Sequence, residues 1–453
     1  MISRELDTLN RAGAHSGYWI RNARVPQALI HQGAADHRAR NASQPVPVAL
    51  KLRGERIERI APEALDDGSP GIDLDGGLLL PGWVDAHTHL DKGHISPRAG
   101  VGGGGLLAAI EATWGDVPRW TRDDLFMRMS FSLRSAFAYG TRAMRTHIDW
   151  EQPAAPLAWD VAQGSRQEWA GRIDLQCAAL LPLDLFADVR MAEHVARSIA
   201  ACGGVLGAFV YPMAGQRQYI EQMFSLAERF DLWLDFHVDE HLEANVEGIR
   251  AILDAARGRE MGGRVMCGHC CALSVAPDEV VRETLADCAA VGATVVSLPF
   301  TNLYLQDRRA GASPRLRGIF PLLEAAEAGV RVALASDNHR DPFLPLGDLD
   351  PLQTLTLASF ASHLAQPLER WSSTVTTTPA MALNLPWDGV LREGAPADLV
   401  LLRARDSTEA CSRWQADRMV VRAGRFIDTR LPDYRELDSP PVSADTLASG
   451  AKR

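Results

Sequence analysis

Eight short apolar runs, separated by helix-patterned stretches, constrain this chain more than any other feature. They are Trp83–His87, Thr141–Asp149, Ile173–Leu181, Val205–Val210, Trp233–Asp239, Arg264–His269, Ala293–Pro299 and Arg331–Asp337. Strand, helix, strand in regular alternation implies a parallel sheet. Eight such units over about 300 residues fit a closed (β/α)8 barrel. In that architecture, chemistry-bearing side chains gather at the C-terminal ends of the strands.

The flanks read differently. Residues 17–80 hold strand-like pieces punctuated by Gly and Asp turns, such as Tyr18-Trp19-Ile20 and Val48-Ala49-Leu50-Lys51-Leu52. Residues 397–427 repeat that style. The two ends are expected to meet in one small β-sandwich domain. The division is residues 1–80 and 385–453 for the β domain and its tail, and 81–384 for the barrel. Residues 431–453 read as an irregular tail.

Composition narrows the function. The net charge of −10 argues against nucleic-acid and anionic-membrane partners. No apolar run approaches the roughly 20 residues of a membrane span, and the polar N-terminus lacks a secretion-signal core. A cytoplasmic protein is expected, with a small-molecule partner and possible homo-oligomers. Seven cysteines, odd in number and sparse, do not suggest a disulfide framework. Cys267-Gly268-His269-Cys270 has redox spacing but ends a strand-like run, so inert buried thiols are the simpler reading. The run Gly102–Gly105 lacks the following Lys-Ser/Thr of a phosphate loop.

The strand ends carry a recurrent chemistry. Asp85-Ala86-His87-Thr88-His89-Leu90-Asp91 follows the first run, and alternation along an extended segment sends His87 and His89 the same way. The second run ends in His147 and Asp149, the fifth in His237, Asp239 and Glu240, the sixth in His269, and the eighth in Asp337. Any one histidine of this kind is usually a hydrogen-bonded core or surface imidazole. A His or carboxylate at five strand ends of one barrel is a metal-hydrolase pattern. A hydrolytic metal needs neutral nitrogen and carboxylate ligands with a position left for water. His87, His89, His237 and Asp337 supply such a set. Glu240, three residues past His237, is placed to shuttle protons, and His269 to polarise the substrate.

These residues resemble the signatures of the amidohydrolase superfamily. The carriers are Pro81-Gly82-Trp83-Val84-Asp85-Ala86-His87-Thr88-His89, His237-Val238-Asp239-Glu240, Gly268-His269 and Ser336-Asp337-Asn338. Arg145-Thr146-His147-Ile148-Asp149 and Asp341-Pro342-Phe343-Leu344 resemble the bacterial cytosine deaminases and their relatives. The resemblance implies one divalent ion, Zn2+ or Fe2+, on His87, His89, His237 and Asp337. It implies Glu240, His269 and Asp337 as catalytic residues in deaminating a cyclic amidine by attack of metal-activated water. Strand 4 ends Ala208-Phe209-Val210-Tyr211, without the lysine that bridges two metals in some members, so one metal is expected.

Two departures bear on the substrate. The stretch Leu180-Leu181-Pro182-Leu183 offers no glutamine amide to hold a pyrimidine, and Asn338 stands where the resemblance expects a second Asp. Contacts of that kind discriminate strongly between substrates. Cytosine itself is therefore not implied; a modified pyrimidine, a triazine or another cyclic amidine or amide fits equally. Leu180, Pro182, Asn338, Phe343 and Trp114 are the candidate substrate-binding residues. Trp114 and Lys92 are candidates for the mouth, with a surface role as the alternative. His147 and Asp149 are candidate supports of the metal ligands. Competing readings are cleavage of a cyclic or acyl amide and a non-catalytic ligand-binding barrel, which predicts missing ligands where this chain has all of them.

Overall fold

A computed structural model describes residues 4–31, 44–101, 104–413 and 418–438. Gly102, Gly103 and the last 15 residues of the expected tail therefore lie outside the described residues. Five strands precede the barrel: β1 (Tyr18–Val25), β2 (Val46–Arg53), β3 (Arg56–Ala61), β4 (Gly71–Asp73) and β5 (Leu78–Pro81). The barrel strands are β6 (Trp83–Thr88), β7 (Thr141–Asp149), β8 (Asp174–Pro182), β9 (Val205–Val210), β10 (Leu234–Val238), β11 (Val265–His269), β12 (Thr294–Ser297) and β13 (Arg331–Leu334). Three strands follow: β14 (Leu399–Leu402), β15 (Arg418–Arg422) and β16 (Arg425–Phe426).

The barrel strands pair in parallel in strict sequence order from β6 to β13. They are buried almost throughout, as expected of strands covered on both faces. Closure comes at the seam, where Thr88 bridges Asp337 and the Asp337 amide donates to the His87 carbonyl at 2.8 Å. The eighth run was expected to stay extended to Asp337, yet β13 stops at Leu334. Asp337 leaves the strand with φ 65°, the left-handed region, as do Asp239 at 50° and His269 at 68°. Non-glycine residues held there cost of order 1–3 kcal/mol and mark functional positions.

The crossover helices have local reasons. Val189–Ala201 is capped by Asp188, whose carboxylate accepts from the Arg190 and Met191 amides, and its buried residues Ala192, Val195, Ala196 and Ile199 form one helical stripe. The long helix Arg122–Tyr139 is capped by Thr121 and stopped by Gly140 at φ 96°. A Cβ on Gly140 would sit 2.5 Å from Val400, so this turn needs glycine for both conformation and space.

The β domain is assembled from both ends as one eight-stranded sheet, ordered β16-β15-β14-β5-β1-β2-β3 with β4 on β1. The join runs through β5 and β14, antiparallel and wholly buried. A helix absent from the expectation, Arg4–Gly13, packs on this domain, and Asn10 exchanges two hydrogen bonds with Phe426. The tail residues 431–438 include a turn, Tyr434–Leu437, whose Tyr434 ring lies under the Arg340 guanidinium. Against the barrel, Arg418 makes a two-pronged pair with buried Asp350 at 3.0 and 2.9 Å. Removing one partner of a buried pair strands the other charge. Arg418→Ala is expected to lower unfolding stability by about 3–5 kcal/mol, read by urea denaturation; a loss below about 1 kcal/mol would mean that solvent reaches Asp350.

Candidate metal centre and cavity

Parallel pairing in register brings the ends of β6, β10, β11 and β13 to one mouth. There the His87 and His237 Nε2 atoms lie 3.0 Å apart, and the His237 and His89 Nε2 atoms 3.2 Å. Asp337 Oδ1 is 3.2 Å from His89 Nε2 and 3.6 Å from His87 Nε2. All four side chains are buried. Burial, then the neighbouring histidines and other charges, holds the His87, His89 and His237 imidazoles well below their ordinary pKa. They are therefore neutral, the form that binds metal.

The geometry fits a divalent cation. Tetrahedral ligands at about 2.0–2.1 Å lie about 3.3 Å from one another, close to the separations seen here. Neither Asp337 oxygen has a well-formed hydrogen bond, although the Thr301 hydroxyl is near. A buried carboxylate without donors is costly unless a cation meets it. Among the described residues two overlapping histidine triads exist, one with His147 and one with His269. His147 is the less suited, because its Nε2 faces Asp235 Oδ2 at 3.1 Å. Instead its ring packs on His87, with centroids 4.0 Å apart, as a support from beneath. Asp235 in turn holds Arg145 at 2.8 Å, and Arg145 holds Gln176 at 2.8 Å. Of this buried polar network only His147 shows in the strand-end pattern; Asp235, Arg145 and Gln176 carry no such signal, because they lie within their strands.

Above the four candidate ligands is a cavity of about 140 Å³. Its lining includes Glu240, His269, Asn338, Phe343, Trp114, Leu180, Pro182, Lys92 and Asp149. Phe209 and three residues of the helix Leu106–Asp116, namely Leu106, Ile110 and Thr113, complete the apolar wall. These four were not anticipated; nothing in an isolated helical stretch says that it covers a mouth. Trp114 is half exposed, and its indole N–H donates to Glu151 at 2.5 Å across the rim. Asn338 gives its amide N–H to Asp341 at 2.8 Å, and Asp341 also accepts from the Phe343 and Leu344 amides. Phe343 is thereby set in the wall.

Glu240 is buried, and desolvation, then the Asp337 charge, pushes its carboxyl well above the usual range. His269 is lowered to about 4, mainly by burial. Its Nδ1 meets the Asn302 amide at 3.0 Å, with Glu240 Oε1 at 3.4 Å. With the amide placed this way, Nε2 carries the proton. That atom is buried and has no protein partner, so it is available to a bound molecule. The three cysteines Cys267, Cys270 and Cys271 are buried and free, with burial raising each thiol well above its usual range. That is the opposite of a redox-active thiol.

A family model described as "Amidohydrolase family" matches residues 160–428. A pterin deaminase of Rhizobium rhizogenes (strain K84) is 40% identical over 81% of this chain and 84% of its own length. The N-isopropylammelide isopropyl amidohydrolase of Pseudomonas sp. (strain ADP) is 25% identical over 83% of this chain and 93% of its own. The crystal structure of 5-methylcytosine deaminase from Klebsiella pneumoniae liganded with 5-fluorocytosine superposes with a TM-score of 0.78. It is 26% identical, covering 92% of this chain and 98% of that one. Among the described residues, no helix is long and apolar enough to cross a membrane.

Two variants test the centre. His87→Ala is expected to abolish stoichiometric metal, measured by elemental analysis after dialysis. Gly268→Ala would put a Cβ 3.0 Å from His87 Cε1 and tilt that ring. It should weaken metal affinity about 10–100-fold in a chelator competition, the usual effect of disturbing a ligand's support. Wild-type affinity in Gly268→Ala would show that the ring is positioned otherwise.

Proposed function

Because the chain belongs to the amidohydrolase family, we propose that it is a metal-dependent, cytoplasmic aminohydrolase acting on an aminated nitrogen heterocycle of the pterin type. The observation that carries this reading is the convergence of three neutral imidazoles, an orphan carboxylate and a high-pKa Glu240 at the floor of one small cavity. The 40% identical relative supports a pterin over a pyrimidine. So does the wall of Leu180, Leu181 and Pro182, apolar where a pyrimidine-reading amide was expected.

A divalent cation held by His87, His89, His237 and Asp337 would lower the pKa of water towards about 7 and so supply the nucleophile. The chain's own groups do the rest. Asp337 takes the proton that water gives up. Glu240, protonated because it is buried, delivers a proton to the ring nitrogen beside the amino-bearing carbon. His269 donates from Nε2 towards the heteroatom on that carbon. Phe343 and Phe209 flank the ring, and Trp114 narrows the mouth. Water adds oxygen to the carbon, the exocyclic C–N bond breaks, and ammonia leaves.

An ammonia-release screen over pterins, pyrimidines and triazines, with zinc- and iron-loaded protein, is expected to give its strongest signal with a pterin. Ring opening without ammonia would point instead to cyclic amide hydrolysis. Glu240→Gln should lose about 10²–10⁴ in kcat with metal content unchanged; full turnover in that variant would sink the mechanism.

A further inference from the structure

Lys92 has no place in the chemistry above, yet it is only 2% exposed and lines the cavity. An ammonium carries three N–H donors. One reaches Asp149 Oδ1 at 2.6 Å, and the Phe343 ring centroid lies 5.4 Å from Nζ. Among the described residues Lys92 Nζ has no other hydrogen-bond acceptor, and Asp149 Oδ2 has no donor. Burying donors on a charged group is costly unless something accepts them.

The pair is also held rigidly. Asp91 accepts the Lys92 amide at 2.8 Å on Oδ1 and the Asp149 amide at 3.1 Å on Oδ2. One carboxylate thus ties the end of β6 to the end of β7 and fixes both backbones. The result is a donor and an acceptor side by side on the cavity wall. That is the pattern of a primary amide, the group missing from Leu180–Leu183. Asn338 is already turned to Asp341, to which its amide donates one N–H at 2.8 Å.

We propose that the Lys92–Asp149 pair reads the lactam edge of the substrate, which is therefore a 2-amino-4-oxo heterocycle and not a 2,4-diamino one. The assignment rests on the deaminase reading. Lys92 donates to the 4-oxo oxygen, and Asp149 accepts from the N3 hydrogen. Glu240 then serves the opposite ring nitrogen, N1. Water supplies the new C2 oxygen, the C2–NH2 bond breaks, and the products are the 2,4-dioxo ring and ammonia. The edge that Lys92 and Asp149 hold is unchanged by the step. A 4-amino group would instead set its own N–H donors against the ammonium. Sites built on such hydrogen bonds reject analogues that cannot make them far more strongly than apolar pockets do.

The test compares 2-amino-4-oxopteridine with 2,4-diaminopteridine in wild type, Lys92→Met and Asp149→Asn. Ammonia release gives kcat and KM, fluorescence quenching gives Kd for 2,4-dioxopteridine, and elemental analysis gives metal content. Wild type is expected to favour the oxo compound at least about hundredfold in kcat/KM. Lys92→Met should cut that preference below about tenfold and weaken 2,4-dioxopteridine binding by a similar factor, with metal content intact. If Lys92→Met does not fold, Asp149→Asn, whose side chain is 29% exposed, carries the test. Its amide can turn either face to the ligand, so it too should lose discrimination. Variants that keep wild-type discrimination and Kd overturn the proposal while the deaminase reading stands. If wild type releases no ammonia from any heterocycle, the deaminase reading fails, and the Kd comparison still decides whether this pair binds a lactam edge.

Discussion

One backbone hydrogen bond organises this molecule, the 2.8 Å contact from the Asp337 amide to the His87 carbonyl. It closes the barrel between its first and last strands. It also fixes the separation of a carboxylate and an imidazole that lie 250 residues apart in the chain. Closure and ligand geometry are therefore the same constraint. The left-handed φ of 65° at Asp337 follows, because the chain must leave β13 to turn its carboxylate inward. The cost of that conformation is held by the seam around it. Asp85 reinforces the seam by accepting from the Ser336 amide at 3.2 Å.

Beneath the candidate ligands, polar groups face one another. His147 faces Asp235, which also holds Arg145, which also holds Gln176. Above them the balance is deliberately incomplete. Both Asp337 oxygens, His269 Nε2 and the spare donors of Lys92 face the cavity without well-formed protein partners. In a low-dielectric interior such groups cost free energy until a ligand satisfies them. Their clustering around one cavity marks out the site within the barrel.

Much of this was legible in the linear sequence, for identifiable reasons. The eight apolar runs are short, continuous and regularly spaced, so the parallel barrel could be read directly. Chemistry-bearing groups in this fold sit at strand ends, so position singles out His87, His89, His237, Glu240, His269 and Asp337 together with His147, Asp149 and Asp239, and only residue chemistry and the family resemblance separate the candidates. The strand limits were read less well. The eighth run looks extended through Asp337 because its centre, Val332–Ala335, is apolar, whereas β13 ends at Leu334. The N-terminal helix Arg4–Gly13 was missed, since its register becomes meaningful only against β16 and Phe426.

Residue order and type were enough to specify a barrel, a β domain built from both termini and a set of candidate metal ligands. Those features depend on local periodicity and on the rule that parallel strands end on one side. The tertiary structure supplied the contacts behind two roles expected from the sequence, packing the His147 ring on His87 and leaving His269 Nε2 facing the cavity. It alone brought Asp91 between Lys92 and Asp149, and laid Leu106 and Ile110 over the mouth. Such contacts join residues tens of positions apart, and they exist only after the barrel has closed. Their strength comes from burial, and burial is a property of the folded shape.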